Sequence, residues 1–73
     1  MPKLIYKFIR FEKAVLYAGW ICYNKKSGVI LGHVFYYPSW RKYVFSAKAG
    51  VVFDSTCLDD LKTFLDQLDG KKP

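Results

Sequence analysis

Acidic residues are nearly missing from the front of this sequence. Residues 1–53 hold one, Glu12, against nine Lys or Arg, while residues 54–73 hold five Asp and three Lys. The two parts carry +8 and −2 and sum to +6. Cysteine is scarce as well. Cys22 and Cys57 are too few for a disulfide scaffold and lack CxxC spacing, so they read as buried thiols. With His33 the lone histidine, a structural zinc site has too few ligands, and no metal or other cofactor is expected. No run of 18 uncharged apolar residues occurs, which excludes a membrane-spanning helix. The start, "MPKLIYKFIR", mixes charge with hydrophobe and has no secretory core, so a cytoplasmic location is expected.

Aromatic residues are what the chain has in excess. Fourteen rings make 19% of 73 residues, and 13 of them share residues 1–53 with the cations. A domain this small has little interior, so some rings must lie at a surface or an oligomer interface. A basic, aromatic-rich segment is a plausible nucleic-acid footprint. The plainer reading is that lysines keep a strand-rich surface soluble and guard its edges.

The order of elements follows from pattern. "KLIYKFIRF" (3–11) reads as an edge strand and "AVLYAGWICYN" (14–24) as a second, interrupted by Gly19. "NKKSG" makes a turn, and "VILGHVFYY" (29–37) is apolar on both sides, as suits a central strand. "PS" reads as a tight turn, "WRKYVFS" (40–46) as a fourth strand and "VVF" (51–53) as a short fifth. The helix starts at Ser55 or Thr56 as N-cap, with Asp59 and Asp60 in its first turn. Leu58, Leu61, Phe64, Leu65 and Leu68 form its apolar stripe, opposite Asp59, Asp66 and Asp69, and Gly70 ends it. The expected fold is one α+β domain over residues 1–70, with 71–73 a solvated tail. It is an antiparallel meander of four or five strands, followed by a C-terminal amphipathic helix packed on one face.

Pairing Asn24 with Val29 places Cys22 opposite Leu31 and Trp20 opposite His33. A two-residue "PS" turn places Tyr37 opposite Trp40 and Phe35 opposite Lys42. Alternation then gives the helix a face with Tyr17, Gly19, Ile21, Ile30, Gly32, Val34, Tyr36, Tyr43 and Phe45, with Arg41 at its rim. The glycines permit close approach there. The other face collects Leu16, Trp20, Cys22, Leu31, His33, Phe35, Tyr37, Trp40, Lys42 and Val44. Left uncovered, it should be a ligand surface, a dimer interface, or both.

From Trp20 to Leu68 the chain resembles a group of small uncharacterised proteins encoded by bacteriophages and their bacterial hosts. The likeness rests on "LGHVFYYPSWRKYVF" and "CLDDLKTFLDQL". It runs through Leu31, Gly32, Val34, Tyr36, Tyr37, Trp40, Arg41, Tyr43 and Phe45, then Cys57, Leu58, Leu61, Phe64 and Leu65. Tyr36 stands where that group more often has tryptophan, and "SAKAG" lacks its usual proline. The resemblance implies a phage-type protein and supplies no catalytic residue. In element order alone the chain is also similar to the single-strand-binding fold of the transcriptional positive cofactor and the whirly proteins, whose dimers present curved sheets to single strands.

Catalysis finds little footing. No carboxylate is placed to orient His33, Cys22 sits in mid-strand, and no glycine-rich phosphate loop occurs. A binding protein is expected, not an enzyme. The leading expectation is sequence-tolerant nucleic-acid binding, single strands preferred. Bases would stack on Trp20, Phe35, Tyr37 and Trp40, with His33 beside them. Lys25, Lys26, Arg41 and Lys42 would meet phosphates. The alternative partner is an acidic host protein bound by the same rings and cations. The plainer expectation is that the same rings form the seam of a homodimer.

Overall fold

A computed structural model describes residues 2–70, and its strands are short because the chain turns early and often. β1 (Ile9–Lys13), β2 (Gly19–Asn24), β3 (Ile30–Tyr37) and β4 (Lys42–Ala47) form one antiparallel sheet in the order β1-β2-β3-β4. The helix α1 (Ser55–Leu68) follows. The architecture is α+β, a four-stranded meander with a C-terminal helix, as the pattern indicates.

Several boundaries differ from expectation. Residues 3–8 are not a full strand: one bridge joins Ile5 to Arg10, and the Phe11 N–H donates to Leu4 O at 2.8 Å. This segment straps the helix to the sheet, because Tyr6 Oη donates to Lys3 O and accepts from Gln67 Nε2 at 2.9 Å. β2 begins only at Gly19, and residues 14–18 form a loop held by Ala14 N–H on Gly19 O. Residues 51–53 belong to no strand.

Two register shifts decide which side chains face the helix. Asn24 N–H does meet Val29 O at 2.8 Å, so the turn has the expected length. A bulge follows: Tyr23 pairs with Ile30 but Cys22 with Gly32, leaving Leu31 extra. Trp20 therefore lies opposite Val34, not His33, and β2 turns over relative to the expected pairing. At the next turn Tyr37 pairs with Lys42, so the loop is Pro38–Arg41 and Arg41 takes the left-handed region at φ 53°. That shift is two residues, an even number, so β4 keeps its expected faces.

The core lies between sheet and helix. Ile9, Phe11, Cys22, Val34, Leu61 and Phe64 are buried, with Trp20, Tyr43, Phe45, Cys57, Leu65 and Leu68 packed against them. Phe64 stacks on Phe11 with centroids 3.8 Å apart and meets Trp20 edge-on at 5.6 Å. Gly32 is required here: a Cβ would come within 2.5 Å of the Phe45 ring that covers it. Cys22 faces this core and not the outer surface, and burial pushes its thiol up to about 12.

Asp54, not Ser55 or Thr56, caps the helix, its Oδ1 accepting from Cys57 N–H at 2.9 Å. That bond holds the Asp54 carboxyl below the usual carboxylate range. With the cap one residue earlier, no acid falls in the first turn, and Asp59 and Asp60 lie beyond it. Gly70 closes the helix at φ 80°, as expected. Asp69 does not join the outward acids: its Oδ1 accepts the Tyr43 N–H of β4 at 2.9 Å. The expected tail at 71–73 lies outside the described residues.

Candidate functional site

The sheet face away from the helix is built by alternation from buried neighbours. Cys22 and Val34 point inward and are fully buried. Ile21 and Tyr23 on β2, and His33, Phe35 and Tyr37 on β3, therefore point outward. From β1 come Arg10 and Glu12, and from β4 come Lys42, Val44 and Ser46, by their pairing with these residues. On β3 this sets one ring-bearing side chain every two residues, roughly 7 Å apart.

Of the residues singled out from sequence, His33, Phe35, Tyr37 and Lys42 lie together on this face. Trp40 and Arg41 sit in the β3–β4 loop at its end. Trp40 extends the row by meeting Tyr37 edge-on at 5.1 Å, and 65% of it is exposed. Trp20 does not belong to the face, because the bulge turns it under the helix against Phe64. Lys25 and Lys26 lie in the β2–β3 turn, at the far end of the sheet from Trp40.

Tyr17, Tyr23 and Arg10 are among the residues that join the face beyond those expected from sequence. Tyr17, expected on the helix side, folds instead over Gly19 on the outer side; a Cβ on Gly19 would lie 2.7 Å from its ring. Its Oη lies 2.6 Å from His33 Nδ1 and 3.3 Å from Trp20 O. Both contacts are satisfied when His33 carries its proton on Nδ1 and the tyrosine donates to the carbonyl. Burial, with Tyr23 nearby, raises the Tyr17 pKa above its ordinary value. Tyr23 carries the Arg10 guanidinium 4.4 Å from its ring centroid. A glycine in mid-pattern, here Gly19, is the sequence signal that a ring needs room.

The electrostatics divide the molecule. Glu12 is the one acid on the outer face, and Arg10 pairs with it. The five Asp belong to residues 54–69, on the helix and its cap, across the sheet. Residues 13–53 contain no Asp or Glu at all. The outer face therefore offers rings and cations with little to repel an anion.

Among the described residues, no group of three or more His, Cys, Asp or Glu side chains is placed to hold a metal ion. No helix among them is long and apolar enough to cross a membrane. Comparison with known protein families, with curated proteins and with solved structures finds no match.

Proposed function

We propose that the protein binds nucleic acid on the helix-free face of its sheet, with single strands preferred and little sequence discrimination. The observation that carries this reading is the helix-free row of His33, Phe35, Tyr37 and Trp40, exposed at His33, Tyr37 and Trp40 and half-buried at Phe35, flanked by Tyr17 and Tyr23 and facing away from the aspartates. Unpaired bases present flat faces to such rings, while a duplex hides them in its stack. Phe35, Tyr37 and Trp40 supply stacking planes, and Lys42 and Arg41 meet phosphates at the same end. Arg10 and Tyr23 extend the path across β1 and β2. Backbone and ring contacts of this kind read no base edge, so discrimination is weak. Binding, not catalysis, is the role, and a phage-type origin belongs to the same proposal.

The test is a titration with a single-stranded oligonucleotide, read by tryptophan emission. Exposed Trp40 is quenched on binding, while Trp20 beneath the helix is not. Trp40→Ala removes the quenching and weakens binding, and Lys42→Ala lowers the salt slope by about one unit.

One observation favours a second reading, an interaction module for an acidic protein partner. Val15 and Leu16 are 94% and 95% exposed in the β1–β2 loop, at the same end of the sheet as Trp40. Exposed aliphatic tips offer little to a base, but at the same end as Trp40 and Arg41 they suit a protein hot spot. Leu16→Ser separates the readings without adding charge: it leaves oligonucleotide affinity unchanged and weakens capture of a protein partner.

A further inference from the structure

The β2–β3 turn meets the segment before β1 at the end of the sheet away from Trp40. Between them lies an open hollow of about 510 Å³, lined by Lys7, Phe8, Asn24, Lys25 and Lys26. Its walls are fixed by backbone, since Lys25 N–H donates to Phe8 O at 2.9 Å. Asn24 Oδ1 accepts from the N–H groups of Lys26 and Ser27, both at 2.9 Å. That use of the oxygen leaves the amide's Nδ2 donors without a protein partner among the described residues.

Phe8 gives the hollow an exposed ring, with Lys7 Nζ 5.2 Å from its centroid. No carboxylate lines it. The ion pairs among the described residues, Arg10–Glu12 and Lys62–Asp66, use none of its lysines. Asp54 lines the adjoining hollow together with Phe8 and Asn24, and its Oδ1 accepts from Cys57 N–H at the start of the helix. Three lysines thus share one hollow with one ring and one amide. Like charges held together favour an incoming anion. The ring favours a flat apolar body on that anion, and the amide favours a hydrogen-bonding edge.

We propose that this hollow is a nucleotide site. The base lies on Phe8 with an acceptor toward Asn24 Nδ2, and the phosphoryl oxygens meet Lys7, Lys25 and Lys26. Lys25 and Lys26 stand at the far end of the eight-residue β3 from Trp40, roughly 25 Å along the sheet. The hollow is therefore separate from the ring row and does not depend on it. A nucleoside phosphate has two sources, a free nucleotide or the phosphorylated end of a strand.

The experiment follows backbone amide shifts of the full ¹⁵N-labelled chain during titration with adenosine, inorganic phosphate, AMP, and a short strand with or without a 5′-phosphate. AMP should shift Lys7, Phe8, Asn24, Lys25 and Lys26 saturably. Adenosine or phosphate alone should bind about tenfold more weakly, since each lacks half of the contacts. The double variant Lys25→Ala/Lys26→Ala should weaken AMP about tenfold, as two charge-assisted contacts go, with the remaining spectrum unchanged. Trp40→Ala should leave AMP binding as it is. If only the 5′-phosphorylated strand matches or exceeds AMP at these amides, the strand end is the source; if AMP exceeds both strands, the free nucleotide is. Millimolar AMP that leaves these amides unmoved, or moves those of Phe35 and Tyr37 instead, overturns the proposal. Failure of the ring row to bind oligonucleotides would leave the AMP shifts intact, so the two ideas fail separately.

Discussion

Tyr17 Oη and His33 Nδ1 lie 2.6 Å apart, and this contact pins the β1–β2 loop onto the outer face of the sheet. The tyrosine ring fills the space above Gly19, and its hydroxyl orients the imidazole at the start of the ring row. The loop is thereby held in place while Val15 and Leu16 project from its tip.

Tyr17→Phe keeps the ring and removes the hydroxyl. Chemical denaturation should show a loss of about 1 kcal/mol, the net worth of such a hydrogen bond. The His33 ring resonances should broaden or move, since nothing then fixes the imidazole. An unchanged His33 spectrum would mean the hydroxyl does not orient the ring.

The helix stripe is unequal along its length. Leu61 is 5% exposed and Leu58 is 53% exposed. Leu61→Ala should cost about 2–5 kcal/mol as a core truncation, while Leu58→Ala should stay within about 0.5 kcal/mol. Urea midpoints of the two variants compare them directly. Equal losses would place the stripe differently against the sheet.

Cys22 makes a prediction about alkaline pH. Folding favours its neutral thiol, because burial raises its pKa from 9.0 to about 12. The contribution is whole below pH 9.0 and is lost as pH climbs from 9.0 toward about 12. Tyr6 and Tyr17, also raised by burial, add to the same alkaline loss. The difference between wild type and Cys22→Ala isolates the thiol: above pH 9.0 the wild type should lose up to about 1.4 kcal/mol per pH unit more than the variant. Parallel stability curves would place Cys22 outside the core.

The meander and the helix are legible in the sequence because their signals are local. Asn24 and Gly28 bound a turn of the expected length, and Leu61 and Phe64 fall at helical spacing. The bulge at Leu31 is not legible. β3 is apolar on both faces, so one extra residue leaves the period-two pattern without a visible break, yet it inverts β2. Trp20 and Cys22 were thereby expected outside and lie inside. Lys42 and Val44 keep the side of Phe35 and Tyr37 because the second shift is even. Tyr17 was missed for the opposite reason. It precedes β2 and reaches the outer face by folding back over Gly19, a tertiary contact that alternation does not describe. Lys7 and Phe8 were missed because their hollow exists only once the strap and the β2–β3 turn meet.

The most direct test of the account is fluorescence anisotropy of a labelled single-stranded oligonucleotide at low salt. Wild type, Phe35→Ala, Tyr37→Ala and Trp40→Ala are compared, each checked for its helix by circular dichroism. The wild type should bind saturably, and each variant should bind more weakly by about 1–3 kcal/mol as one stacking plane is removed. Affinity should fall steeply as salt rises. A folded wild-type protein that leaves the anisotropy unchanged at low salt would contradict it.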